Sequence, residues 1–296
     1  MQRNHLYHLF FVLVVLFSVA VGGAREPALR KPEPLPLVSQ KVNQSEKTAL
    51  TASIETALTA SAPLPPPEIS AASALVKSLF SKEAVFNSHP NKQWPAASLT
   101  KLMTAVVALD RIPPQSQIPM SYKAVATEGA AGNFIVGKNY SRDDVLKSLL
   151  VYSSNDAAAA LAEFYDHDQD LGGRSGGFVE EMNAKAASLG MYNTRFFDPH
   201  GLSPLNQSTA NDLERLVHHI FNIRPEIFSW TRIRDGNTHP FVSRENFIGG
   251  KTGFLNEAGG NLITLVDDRG RFLVIIVLGS ENRAGDTENL YKHYAQ

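Results

Sequence analysis

The chain contains no cysteine. Disulfide frameworks, cysteine-ligated zinc and lipidation on a thiol are therefore excluded. Charge of one sign is also missing: 28 Lys and Arg face 29 Asp and Glu, a formal net charge of −1. No basic run is interleaved with aromatics, so there is no electrostatic case for a nucleic-acid partner. Nine histidines are present, but none stands in the HExxH spacing that would put two zinc ligands on one helix face. His218 and His219 fall mid-helix and read as surface and packing residues. The stretch DHDQD at 166–170 opens like a calcium-binding loop, yet Leu171 stands where that loop needs glycine and Gly177 where it needs glutamate. No metal or cofactor is expected.

What is present is a chain of 296 residues, 43% hydrophobic, enough for one large or two small globular domains. Residues 1–24 begin with Arg3 and two histidines, run apolar over 9–21 and end in Gly22, Gly23 and Ala24, the anatomy of a signal peptide. Counting from Leu6 to Ala24 gives 19 residues with one histidine inside, so an uncleaved membrane anchor is the alternative. Either way the protein is expected to be exported. Residues 25–67 are rich in Pro, Ser, Thr and Ala and read as a disordered linker. Asn43 and Asn206 head Asn-x-Ser sequons, which matter only in a glycosylating host.

A folded domain is expected over 68–296. ISAASALVKSLFSKEAVFN predicts two strands around a Ser-Lys-Glu turn. Residues 95–110, PAASLTKLMTAVVALD, predict a helix with a core stripe of Leu99, Leu102, Met103, Val106 and Leu109. Ser141 caps the next helix, a break at SSN precedes DAAAALAEFY, Gly190 ends the following helix, and Ser208 caps TANDLERLVHHIFN. NFIGGKTGF, GGNLITLVDD and RFLVIIVLGS predict three strands, the last two a hairpin across DDRG, before a final helix at about 284–294. Strands at both ends with helices between predict an antiparallel sheet built from both chain ends around a helical insertion.

Ser98 and Lys101 lie one turn apart on the first helix. Their neighbours on that face are Ala105 and Ala108, so Lys101 has no acidic partner on its own helix. Burial among alanines disfavours the charged amine, and a neutral amine beside a hydroxyl is a base beside a nucleophile. SxxK alone is common. Here it is followed by Ser153-Ser154-Asn155 between two helices and by Lys251-Thr252-Gly253 on a strand, and three such words in this order are rare by coincidence. Taken singly, Ser153 and Asn155 also suit helix caps, and Lys251 suits a guarded sheet edge.

With PAASLTKLMTAVVALD, LLVYSSNDAAAALAE, FVEEMNAKAASLGMYNTRFFDPHGLS and GGKTGFLNEAG, the sequence over about 69–290 resembles the serine-type D-alanyl-D-alanine carboxypeptidases, low-molecular-weight penicillin-binding proteins. The resemblance implies an α+β fold of the serine β-lactamase and transpeptidase kind, an antiparallel sheet flanked by helices with an all-helical subdomain. It implies peptidoglycan stem peptides as substrates and β-lactams as covalent inhibitors. Ser98 would be the nucleophile, Lys101 its base, and Ser153 the proton relay to the leaving amine. Asn155 would hold the substrate amide and orient Lys101. Lys251 and Thr252 would face the substrate carboxylate, Gly253 would let substrate backbone approach the strand, and the Phe254 amide would be an oxyanion donor.

The family often has threonine where Leu255 stands, and the approach to KTG is shorter than usual. The carboxylate-binding arginine is therefore open between Arg234, Arg244 and Arg283. Cleavage of cross-links by an endopeptidase is the alternative reading. A class A β-lactamase lacks support because its ExxLN element is missing. A wall-binding module without catalysis is disfavoured by the intact motifs. Since the chain stops soon after its final helix, membrane tethering would come from the N-terminus.

Overall fold

The structure is a computed structural model, and it describes residues 65–167 and 177–295. The expected signal segment, nearly all of the linker, Asn43 and the last three residues of DHDQD lie outside the described residues.

The strands at the two chain ends meet in one sheet. β1 (Ser73–Ser78) pairs antiparallel with β2 (Ala84–Ser88) across the expected turn. Two short strands, β3 (Trp94–Pro95) and β4 (Gln117–Pro119), stand apart from the sheet on either side of α1 (Thr100–Arg111). After α2 (Tyr122–Val125) and β5 (Asn139–Ser141) come three helices, α3 (Arg142–Val151), α4 (Asn155–His167) and α5 (Phe178–Ser188). β6 (Gln207–Ser208), α6 (Ala210–Ile223) and α7 (Pro225–Thr231) follow. The chain closes with β7 (Phe247–Leu255), β8 (Gly259–Asp268), β9 (Arg271–Ser280) and α8 (Arg283–Tyr294). The sheet order is β2-β1-β9-β8-β7, with β9 in register against β1 from Ser73↔Leu278 to Ser78↔Leu273.

Both faces of this sheet are covered. Leu75, Ile263, Leu265, Val274 and Ile276 face the helical insertion, while Ala74, Val76, Val266, Ile275 and Val277 pack with Leu290 of α8. The alternation follows from the two-residue period of a strand. The β8–β9 hairpin turns through Arg269 and Gly270, both at positive φ, as a two-residue turn matched to strand twist requires. Within the insertion, α1 is the central rod: every residue from Thr100 to Leu109 is buried.

Helix ends follow the sequence closely, with one shift. The Ser141 hydroxyl accepts from the Asp144 amide, as expected of a cap. At the end of α5, Gly190 has φ +75, Met191 N–H donates to Ala186 and Gly190 N–H to Ala187, the double bond pattern of a glycine-terminated helix. The cap of α6 is Thr209, whose hydroxyl accepts from Asp212 N–H, and not the expected Ser208. Ser208 is paired in the β3–β6 bridge with Trp94, so the chain is still extended there. Asn206 is fully buried, and its amide bonds to Asp198 and Thr100, so its sequon is closed to glycosylation in the folded protein. No helix among the described residues is long and apolar enough to cross a membrane.

Candidate active site

Ser98 does not stand on an α-helix. It occupies a 3₁₀ turn, Ala97–Leu99, and α1 begins at Thr100. The expected helix is shortened because Ala97 has φ +49, a left-handed conformation that interrupts the helix and costs a residue with a Cβ about 1–2 kcal/mol. Tertiary bonds hold the turn there. The buried Asn261 of β8 donates to the carbonyls of Pro95 (2.8 Å) and Ala96 (3.2 Å) and accepts from Gly279 N–H of β9. Ala96 N–H donates to the Asn206 carbonyl at 2.7 Å. Asn261→Ala would break three hydrogen bonds of a buried side chain and is expected to cost about 2–4 kcal/mol in urea unfolding, with slower acylation of Ser98.

Lys101 is fully buried one turn on. Its Nζ lies 3.1 Å from Ser98 Oγ. It also donates to Asn155 Oδ1 at 2.6 Å and to the His200 carbonyl. The expectation of an unpaired lysine holds only for carboxylates: no carboxylate is hydrogen-bonded to it among the described residues, but two oxygen acceptors are. Burial brings its pKa from 10.5 down to about 7, against the upward pull of the Asp198 and Asp156 charges.

Three further elements converge on this pair. Ser153 precedes α4 with φ +58, and its Oγ accepts from Lys251 Nζ of β7 at 2.9 Å. Asn155 opens α4, giving Oδ1 to Lys101 and donating Nδ2 to the Glu128 carbonyl at 2.7 Å. Neither is the cap of that helix: Ser154 Oγ accepts from Ala157 N–H at 3.1 Å, which leaves Ser153 and Asn155 free for the cleft. Lys251 is buried too, and its pKa lies well below the ordinary lysine value, through burial first and then the neighbouring charges of Lys101 and Arg283.

The rest of the KTG strand lies alongside. Thr252 Oγ1 is 2.9 Å from Thr238 Oγ1. Gly253 packs on the turn that carries Ser98, since a Cβ there would stand 3.1 Å from the Ala96 carbonyl and 3.2 Å from Ser98 N. Its missing side chain therefore also serves contact within the protein. Phe254 is 61% exposed at the strand's end. β7 is the edge of the sheet, and its Gly250 N–H donates to Thr231 Oγ1 of α7.

Among the three arginines, Arg283 donates to the Gly253 carbonyl at 2.5 Å. Arg244 pairs with Glu288 and stacks on Phe241, and Arg234 is exposed. Neither Arg244 nor Arg283 is hydrogen-bonded to Thr252.

Sequence reasoning missed the loop that carries His200. Asp198 accepts backbone N–H bonds from His200 (3.0 Å), Gly201 (2.5 Å) and Ser203 (2.7 Å). Burial opposes its ionisation, but these bonds and His200 outweigh it and hold the pKa at about 2. The ionised Asp198 thus shapes a turn that aims the His200 carbonyl at Lys101. Gly201 lies flat on the nucleophile turn, with φ +84.

A family profile described as D-alanyl-D-alanine carboxypeptidase matches residues 56–282. The chain is 33% identical over 248 residues to a D-alanyl-D-alanine endopeptidase of Escherichia coli, covering 77% of this chain and 75% of that one. It is 36% identical over 240 residues to a D-alanyl-D-alanine endopeptidase of Pseudomonas aeruginosa, covering 72% and 74%. Among solved structures, a penicillin-binding protein of Listeria monocytogenes in its cefotaxime-bound form is similar with a TM-score of 0.67 at 28% identity, covering 77% of this chain and 98% of that one. With the SxxK, SxN and KTG words gathered in one cleft and the profile spanning most of the chain, this protein belongs to the D-alanyl-D-alanine carboxypeptidase family.

Proposed function

We propose that the chain hydrolyses the terminal D-Ala-D-Ala bond of peptidoglycan stem peptides through an acyl-enzyme on Ser98. The observation that carries this reading is a buried Lys101 amine, 3.1 Å from Ser98 Oγ, whose pKa is brought to about 7. An amine of that pKa can accept the serine proton at neutral pH and give it up again. As Lys101 Nζ takes the proton, Oγ attacks the carbonyl carbon of the penultimate D-alanine. The oxyanion falls to the amides of Ser98 and Phe254, donors that need no reorganisation. The proton held by Lys101 moves on to Ser153, bridged to Lys251, as Ser153 gives its own to the leaving nitrogen and the C–N bond breaks, which leaves Lys101 neutral again. Water then gives its proton to Lys101, attacks the ester, and Ser98 leaves reprotonated. The edge of β7 would receive the substrate backbone as an added strand.

A β-lactam meets the same nucleophile with an amide whose leaving nitrogen stays tethered, so it is expected to remain as an acyl-enzyme. Cleavage of D-alanyl cross-links is the second reading, favoured by the two relatives that bear the endopeptidase name. Residues 1–24 fit export to the periplasm or another extracytoplasmic space, cleaved or retained as an anchor, and 25–67 fit a tether to the catalytic domain over 68–296. The test combines two assays on purified protein. D-alanine release from a stem pentapeptide, together with a penicillin adduct on the proteolytic peptide carrying Ser98, is the expected result. A protein that releases no D-alanine, opens no cross-linked dimer and gains no adduct would overturn the proposal.

A further inference from the structure

The end of the cleft beyond Lys251 is lined by two hydroxyls. Thr238 is exposed, and its Oγ1 sits 2.9 Å from Oγ1 of the nearly buried Thr252. One hydroxyl donates to the other. The pair therefore retains one O–H to give and free lone pairs to receive.

Thr238 is held in place from both sides. Before it, Asn237 Nδ2 donates to the carbonyls of Thr231 and Ile233, each at 2.8 Å, and Asn237 Oδ1 accepts from His239 N–H. After it, His239 is buried against the sheet. Its Nδ1 accepts from Phe241 N–H at 3.1 Å, which leaves Nε2 to donate to the Ile263 carbonyl of β8 at 3.0 Å. Burial keeps this imidazole neutral, with a pKa of about 4. A Cβ on Gly250 would stand 2.6 Å from His239 Nε2, so the strand beneath has been cleared for that ring. Such packing preorganises the Thr238 hydroxyl.

Three charges near this pair have partners of their own, and Arg234 on the same loop is exposed. Lys251 is bound to Ser153 and to its own strand. Arg283 is bound to the Gly253 carbonyl and Arg244 to Glu288. A guanidinium fork only donates, so it suits a carboxylate and leaves a carboxamide nitrogen unpaired; hydroxyls donate and accept and suit both.

We propose that Thr238 and Thr252 form a neutral two-hydroxyl receptor for the end of the leaving residue, so that the enzyme cleaves substrates whose leaving residue carries a carboxamide as well as those carrying a carboxylate. This inference rests on the hydrolytic reading of the same site and makes Thr238 a specificity-determining residue.

The test compares kcat/KM for diacetyl-L-lysyl-D-alanyl-D-alanine and its C-terminal carboxamide. In the wild type the two are expected to agree within about tenfold, since hydroxyls serve both ends. Thr238→Val should lower both about tenfold, mainly through KM, and Thr238→Ser should restore them. Thr238→Arg should shift the ratio at least about tenfold toward the acid. Penicillin acylation of Ser98 is measured on every variant, so a misfolded protein is recognised and the receptor is judged on variants that acylate. A wild type that acylates and cleaves the acid but rejects the amide more than about hundredfold overturns the receptor while leaving the hydrolytic function intact. So does an acid preference removed by Arg234→Gln, which would make that arginine the receptor. A wild type with neither adduct nor turnover would sink the hydrolytic function, and the receptor with it.

Discussion

Lys101→Met is expected to slow acylation of Ser98 by penicillin about 10²–10⁴-fold, the usual contribution of a positioned base. Stopped-flow acylation followed across pH is the measurement. In the wild type the rate should rise with pH through about 7, where the buried amine loses its proton; in the variant that inflection should vanish. An unchanged rate would move the base elsewhere, and an inflection that persists in the variant would assign it to another group. The same substitution should alter stability in the opposite sense. The folded-state pKa of Lys101 is about 7 against 10.5 for the free side chain, so between these values the unfolded chain binds the extra proton. Wild-type stability therefore rises from pH 7 toward 10.5, and the full cost of burying the cation is felt below pH 7. That cost is of order 5 kcal/mol at most, reduced in the comparison by the acceptors on Asn155 and His200 that methionine leaves unpaired, about 1–3 kcal/mol each. Urea unfolding should show Lys101→Met as stable as the wild type or more so at pH 6, with the difference moving toward the wild type at pH 9.

Gly201→Ala should harm the enzyme without touching any group that meets substrate. At φ +84 an added Cβ is strained by about 1–2 kcal/mol, and it would stand 2.1 Å from the Ala97 carbonyl oxygen. That oxygen belongs to the backbone of the turn that carries Ser98, so relief must displace either the nucleophile or the His200 carbonyl that holds Lys101. We expect about 3–4 kcal/mol of lost stability, from strain and overpacking together, and an acylation rate at least about 10²-fold lower. Gly137→Ala is the control: its φ is +79, and an added Cβ would meet nothing within 4 Å. It should cost only the strain, about 1 kcal/mol, and leave acylation unchanged. Equal effects of the two substitutions in urea unfolding and acylation would show that the contact with Ala97 is unimportant.

Why the proposed catalytic residues could be read in the sequence, and some of their partners could not, is a matter of where the information resides. The roles proposed for Ser98, Lys101, Ser153, Asn155 and Lys251 rest on side chains, and their order along the chain was already unusual. The strands of the sheet announced themselves by unbroken apolar runs such as LVIIVL, buried on both faces. The His200 contact is made by a main-chain oxygen, which any residue could supply, and only the turn-forming Asp-Pro-His-Gly pointed to a special backbone there. Thr238 lies in an exposed loop, and its position opposite Thr252 depends on tertiary contacts of His239 that no local pattern encodes. The cap of α6 moved by one residue for a similar reason, since the strand contact of Ser208 with Trp94 is made across a gap of more than a hundred positions. The 3₁₀ turn escaped notice because PAASLTK is helix-compatible throughout, and it is the bonds from Asn261 that hold Ala97 in its strained conformation.

The sheet also sets an order of events. Ser70 is tied to Asp286, 216 residues away, by backbone and hydroxyl bonds, and β1 has β9 as its inner neighbour. A chain delivered from its N-terminus holds its first strand without that neighbour until β9 has followed. Contacts of such long separation make closure slow. The turn that carries Ser98 is pinned by β8 and faced by β7, so Ser98 and Lys101 remain unassembled until those strands have followed. The cleft between Ser98 and Lys251 thus assembles after the helical insertion, not before it.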